Sequence, residues 1–115
     1  MKNILISGGS RGIGAETVRL LCEQGERVAF TYKNSNESAR LLEERTGAFG
    51  IFCDMEREAD IIAAAKEAKR FFGESGVDVL INNAAISEIK LFTDITLEDW
   101  QRMIAVDLTA PYILT

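Results

Sequence analysis

The sequence contains no histidine, one proline and two cysteines in 115 residues. Without histidine the chain lacks the commonest general base and a common zinc ligand. Cys22 and Cys53 stand far apart, in no metal-binding spacing. Zinc sites and histidine-based catalysis are therefore excluded, no metal is expected, and both cysteines read as small buried apolar residues. No apolar run approaches the ~20 residues of a membrane span. The N-terminal MKNILISGG has one lysine and a short strand-like run, too brief for the core of a signal peptide, so a cytoplasmic chain without a membrane partner is expected. Basic residues are outnumbered, 13 Lys and Arg against 18 Asp and Glu, for a net charge of −5. With no basic cluster, a nucleic-acid partner is excluded.

What is present fits one soluble globular domain: 47% of residues are hydrophobic and 27% charged. Four short apolar, β-rich runs recur, at Asn3–Ser7, Arg27–Tyr32, Ala48–Cys53 and Val77–Ile81. Several are almost continuously apolar, as strands covered on both faces are. Helical patterns lie between them. Gly14, Val18, Leu21 and Cys22 share one face of the first, and Gly25 stands at its C-terminal stop. The second spans about Glu37 to Arg45, with Asn34 or Ser35 as its cap and Gly47 after it. The third spans about Met55 to Phe72, with Ile61, Ala65, Ala68 and Phe72 facing inward and Gly73 ending it. A long loop, Asn83 to Ile95, precedes a fourth helix that opens at Thr96, with Asp99 three residues on in a capping-box arrangement. Strands joined through helices run parallel, and right-handed crossovers put helices on both faces. The expected architecture is α/β, a Rossmann-type doubly wound parallel sheet.

The fourth helix carries two apolar faces: Leu97, Trp100, Ile104 and Leu108 on one, Met103, Val106, Ala110 and Ile113 on the other. Two faces expect cover from two sides. The chain stops at Thr115 without a further strand, which reads as a fold cut after its fourth strand and fourth helix.

The segment SGGSRGIG, Ser7 to Gly14, lies between the first strand and the first helix. A helix N-terminus presents unpaired N–H groups and partial positive charge, which a phosphate satisfies. Glycines permit a sharp turn and let a pyrophosphate approach the backbone, and Gly14 falls on the packed side of the helix. The spacing is G-x-x-x-G-x-G, neither the G-x-G-x-x-G fingerprint nor a P-loop. An ordinary tight turn is the competing explanation.

That spacing, preceded by the hydroxyl residue Ser7, resembles the short-chain dehydrogenase/reductase family. Cys53-Asp54-Met55 follows the third strand, where the family has an adenine-contacting acid. Ile81-Asn82-Asn83-Ala84-Ala85 looks like the family's N-N-A-G motif, and WQRMIAVDL, Trp100 to Leu108, looks like the segment that normally ends in V-N-L. Within the family the text is most similar to 3-oxoacyl-[acyl-carrier-protein] reductases. The resemblance covers all 115 residues and about the first half of a typical member, so residues 1–115 read as an incomplete dinucleotide-binding Rossmann domain. It implies cofactor contacts from Gly8, Ser10, Arg11, Gly12, Ile13, Gly14, Lys33, Asp54, Met55, Asn83 and Ala84. Asp54 is equally placed to cap the third helix, and Asn82 and Asn83 to form a plain turn. Ala85 stands in place of the family's glycine, and a positive φ there would strain it.

The second strand ends Phe30-Thr31-Tyr32-Lys33-Asn34 with no carboxylate to bind ribose hydroxyls, while Arg11 and Lys33 are placed to hold a 2′-phosphate. NADP is expected over NAD, with Arg11 as mere solvated surface the alternative.

The family's tyrosine acid/base and the lysine four residues later have no counterpart. Only Tyr32 and Tyr112 occur; four residues past Tyr32 is Asn36, and four past Tyr112 lies beyond the end. The family's catalytic serine is absent as well. Asp107 occupies the family's asparagine position, and Pro111 has no N–H to offer its carbonyl, which leaves either a proton-relay site or a simple helix kink. The expectation is the NADP(H)-binding part of an oxidoreductase that passes hydride between nicotinamide and a carbonyl or alcohol substrate. These 115 residues alone should be inactive, and the two-faced last helix points to a homo-oligomer. A non-enzymatic dinucleotide-binding or assembly module is the other reading.

Overall fold

The computed structural model describes residues 1–86 and 90–115. Four parallel strands form one sheet in the order β3-β2-β1-β4: β1 Asn3–Ile6, β2 Arg27–Tyr32, β3 Phe49–Phe52 and β4 Val79–Ile81. Helix α1 (Gly12–Glu23) joins β1 to β2, α2 (Asn36–Thr46) joins β2 to β3, and α3 (Glu58–Phe72) joins β3 to β4. After β4 come α4 (Leu97–Ile104), a π turn (Ala105–Thr109) and α5 (Ala110–Leu114). The long loop before α4 holds one 3-10 turn, Phe92–Asp94; residues 87–89 of that loop lie outside the described residues.

The side chains of the two central strands alternate between two cores. Ile4 and Ile6 of β1, with Val28 and Phe30 of β2, pack with Val18 of α1 and Ala39 of α2. Leu5 and Ala29 pack on the opposite face with Ile61, Ala64, Ala68 and Phe72 of α3 and with Val106 and Ala110 beyond α4. All four residues of β1 are buried, which explains why its sequence shows no polar alternation. Complete burial of a side chain such as Phe30 contributes roughly 1.5–3 kcal/mol.

Several expectations need correction. Helix α3 starts at Glu58, not Met55: the Asp54 carboxylate accepts from the Glu56 N–H at 3.0 Å and closes a turn ahead of the helix, so Asp54 does not cap α3. Ile61, Ala68 and Phe72 face inward as expected, with Ala64 fully buried beside them and Ala65 only partly so. Cys53 is buried, but Cys22 is only half-buried at the margin of the α1 core. The two apolar faces beyond Thr96 also differ in fate. Val106 and Ala110 pack on α3, while Leu97, Trp100 and Leu108 stay 55–70% exposed. The expected single fourth helix is interrupted where Pro111 removes a backbone donor; across the π turn Ala110 N–H reaches back to the Ala105 carbonyl.

Two tertiary clamps hold the sheet's lower edge and the α4 entry. At the base, the Arg27 guanidinium lies 4.4 Å from the Phe71 ring centre and donates to the Phe71 carbonyl at 2.7 Å, near the end of α3. Phe71 is itself stacked on Phe49 of β3, 4.7 Å between centres. At the entry to α4, Thr96 Oγ1 accepts from Asp99 N–H at 3.0 Å and Asp99 Oδ2 accepts from Thr96 N–H at 3.1 Å, the expected capping box. Lys90 Nζ adds a bond to Asp99 Oδ2 at 2.8 Å. That bond, with the Thr96 amide, holds the Asp99 carboxyl down at about 2.

Arg27→Ala should lower unfolding free energy by about 2 kcal/mol in urea titrations, and Arg27→Lys should restore less than half, because an ammonium cannot stack and donate from one plane. Asp99 yields a pH signature. Its folded pKa is depressed, so its contribution is fully present above the ordinary carboxylate value near ~4 and is lost as pH falls toward 2. Acid unfolding of Asp99→Asn should lack that portion of the pH dependence; an identical acid limb in both proteins would contradict it.

Candidate functional site

In this strand order, β1 leads to β2 and β3 on one side while β4 lies on the other, so the chain changes direction between β1 and β4. Crevices at such switch points, beyond the carboxyl ends of the strands, are where open α/β sheets bind ligands. The two segments that leave this crevice are Ser7 to Arg11 after β1 and Asn82 to Ile86 after β4.

Hydrogen bonds knit them together. Ser7 N–H donates to the Ile81 carbonyl at 3.0 Å, and Ser7 Oγ accepts from the N–H groups of Asn83 and Ala84 at 3.1 and 3.0 Å. Asn83 Nδ2 donates to the Gly8 carbonyl at 3.0 Å. From β2, Thr31 Oγ1 accepts from Gly8 N–H at 3.0 Å and the Thr31 carbonyl accepts from Gly9 N–H at 2.9 Å. Ser7 and Thr31, both buried, thus anchor the loop. In the sequence Ser7 stands out only as a family position, and Thr31 does not stand out at all, because its role depends on β1–β2 pairing. Of the two asparagines, Asn83 ties β4 to the loop as expected. Asn82 turns the other way, and its Nδ2 donates to Thr115 Oγ1 at 3.3 Å.

The loop is pressed too tightly for a side chain at Gly8, Gly9 and Gly14, whereas a Cβ at Gly12 would meet nothing within 4 Å. A Cβ on Gly14 would stand 2.1 Å from the Gly8 carbonyl oxygen and 2.7 Å from Asn83 Nδ2. On Gly9 it would meet Phe30 Cβ at 2.5 Å, so Gly9, which the G-x-x-x-G-x-G spacing passes over, is among the most constrained. Gly8 combines φ +71° with Ala84 Cα at 2.9 Å from a built Cβ. Ala85 does not have a positive φ, so the feared strain at this alanine does not arise.

Helix α1 leaves this loop with its N-terminus bare. Arg11 at the N-cap makes no side-chain cap bond, and no acid lies in the first turn. By contrast α2 opens with Glu37, α3 with Glu58 and Asp60, and α4 with Glu98 and Asp99. Of the four longer helices only α4 has a side-chain cap, and α1 alone also lacks a first-turn acid, so the partial positive charge at its N-terminus is not offset by a nearby carboxylate. That N-terminus opens on a cleft of about 630 Å³.

Gly8, Ser10, Arg11, Gly12, Ile13, Gly14, Lys33, Asp54, Met55, Asn83 and Ala84 all line that cleft. Thr31, Tyr32, Ser35, Glu56, Ile86 and Arg102 line it too, and no motif in the sequence marks them as site residues. Ile13 is 81% exposed, an apolar side chain beside the bare helix end. Asp107 is not a cleft wall. Its Oδ1 accepts from Ile86 N–H at 2.8 Å and so pins the segment after β4 to the π turn. Cys53 is also at the cleft, but burial, with the Asp60 and Asp54 charges, pushes its thiol up to about 12, so it is no nucleophile near neutral pH. At the β2 and β3 ends, Lys33 Nζ lies 3.6 Å from Asp54 Oδ2 and 3.5 Å from Glu56 Oε2. The cleft is thus electropositive at the α1 end and of mixed charge at the far end.

Known proteins are similar to this chain in sequence and fold. A protein of Escherichia coli K12 named a cyclic-di-GMP-binding biofilm dispersal mediator is 36% identical over 96% of this chain and 44% of its own length. A 3-oxoacyl-[acyl-carrier-protein] reductase of Chlamydia pneumoniae is 30% identical over 96% of this chain and 46% of its own length. The crystal structure of a blue fluorescent protein from a metagenomic library, in complex with NADPH, superposes with a TM-score of 0.89 at 33% identity, covering 98% of this chain and 48% of that one. The chain therefore spans less than half the length of these relatives. The family model described as short chain dehydrogenase matches residues 2–115, and with the crevice, its glycine loop and the sheet order in agreement, the chain belongs to the short-chain dehydrogenase family.

Proposed function

We propose that residues 1–115 form the dinucleotide-binding part, about the first half, of an NADP(H)-dependent short-chain oxidoreductase that exchanges hydride with a carbonyl or alcohol substrate. The observation that carries this reading is the bare, acid-free N-terminus of α1 opening on the cleft through a loop that leaves no room for a Cβ at Gly8, Gly9 or Gly14. In it, the backbone of Gly8 to Gly14 seats the pyrophosphate, with Ser10 and Gly12 at the turn and Ile13 against the cofactor's apolar surface. Asp54 and Met55 hold the adenine, and Asn83 and Ala84 form the floor. The nicotinamide, when bound, supplies the hydride chemistry. Proton handling belongs to a tyrosine–lysine pair outside these residues, since Tyr32 is followed four residues later by Asn36. Asp107 supports that chemistry through the Ile86 segment, as a positioning residue.

A 3-oxoacyl thioester is the substrate class we favour, on the likeness to the Chlamydia reductase. The exposed side chains of Leu97, Trp100 and Leu108 support self-association through the α4–α5 rod. The proposed setting is the cytoplasm; no helix among the described residues is long and apolar enough to cross a membrane.

The preference for NADP over NAD rests on Arg11, exposed at the N-cap of α1, and Lys33 at the end of β2. Arg11→Ala with Lys33→Ala should raise the NADPH dissociation constant roughly 10–100-fold in titration calorimetry and leave that of NADH within about threefold, since two charge-assisted bonds to phosphate are lost. An unchanged NADPH constant would remove the basis for the preference.

A further inference from the structure

The cation assigned to a 2′-phosphate is already engaged. Lys33 Nζ is shared between Asp54 Oδ2 and Glu56 Oε2, at 3.6 and 3.5 Å. The second Glu56 oxygen, Oε1, faces Arg102 Nε at 3.8 Å, and Arg102 Nη2 reaches Asp99 Oδ1 at 3.1 Å. Lys33, Glu56 and Arg102 come from β2's end, the turn before α3, and α4, and all three line the cleft.

The two acids that hold Lys33 are not equivalent. Asp54 is mostly buried, 19% exposed, and is committed through Oδ1 to the Glu56 amide. The Glu56 side chain is 33% exposed, and its carboxylate bridges the cations Lys33 and Arg102. Lys33 is 44% exposed, and pairs in such positions are weak enough to be exchanged for a stronger anion. A ligand phosphate arriving near Lys33 must therefore both draw the ammonium away from Glu56 and tolerate the carboxylate charge beside it.

We propose that Glu56 is a specificity-determining residue at the adenosine end of the cleft. It positions Lys33 toward the β3 end and so lowers the advantage of a dinucleotide bearing a 2′-phosphate over one without it. This rests on the dinucleotide-binding reading above. Glu56→Gln keeps the size and polarity of the side chain and removes its charge. NADPH gains chiefly from a released Lys33; NADH has no phosphate there and gains nothing.

The test is titration calorimetry of NADPH and NADH against the purified wild-type protein, Glu56→Gln, Lys33→Ala and the double variant. Glu56→Gln should tighten NADPH about tenfold and leave NADH within about twofold. In the Lys33→Ala background the same substitution should shift the NADPH-to-NADH ratio less than about threefold. Glu56→Ala, titrated in the same way, decides the matter if the glutamine variant folds poorly. An unchanged ratio in Glu56→Gln, with wild type binding both dinucleotides, overturns the role of Glu56 alone. A shift of equal size without Lys33 also overturns it. Wild type that binds neither dinucleotide overturns the dinucleotide reading together with this one.

Discussion

The Gly8 carbonyl, folded back against Gly14 in the first turn of α1, is the constraint on which the rest of the site depends. A Cβ at Gly14 would lie 2.1 Å from that oxygen, and backbone on both sides leaves nothing to yield. The same carbonyl accepts from Asn83, while Ser7 and Thr31 bond the loop to β4 and β2. One small patch of backbone thereby locks three strand ends and aims the N-terminus of α1 into the crevice. Interior polar groups left unpaired here would each cost about 1–3 kcal/mol, so the loop is held by the need to satisfy its own amides as much as by glycine flexibility.

From this fixed point the charge of the cleft divides in two. At α1 it arises from the backbone, because no cap and no first-turn acid offset the helix end. At the far end it arises from side chains on three elements: Lys33 between Asp54 and Glu56, and Arg102 between Glu56 and Asp99. The first is rigid and suits an anion of fixed geometry. The second is half-exposed and exchangeable, which suits discrimination between related ligands.

Much of this was legible in the sequence because it depends on neighbours along the chain. Continuous apolar strands separated by helical periods dictate a parallel sheet with two covered faces, and Thr96 with Asp99 dictates a capped helix. The eleven cofactor contacts that the family resemblance implies sit on motifs contiguous in sequence, and all line the cleft. What was missed depends on packing between elements. Gly9 is constrained by Phe30, which lies across the sheet, and Thr31 serves the loop only through the β1–β2 register. Glu56 and Arg102 are distant in sequence and meet only when α4 packs beside the β3 end. The inner stripe of α3 keeps Ile61, Ala68 and Phe72 as expected; Ala64 and Ala65 flank its centre, and packing buries the first fully and the second in part. Of the two apolar faces read from the period of the last helix, the one with Val106 and Ala110 packs on α3, while Leu97, Trp100 and Leu108 of the other stay more than half exposed.

The most direct test of a pyrophosphate seat at α1 is an amide-resolved NMR titration of the protein with NADPH. The largest shifts are predicted at the N–H groups of Gly12, Ile13 and Gly14, with smaller ones at Asn83 and Ala84 and none at the Arg27–Phe71 end of the sheet. Shifts that spare the three α1 amides while NADPH binds elsewhere, or no shifts at saturating dinucleotide, would contradict it.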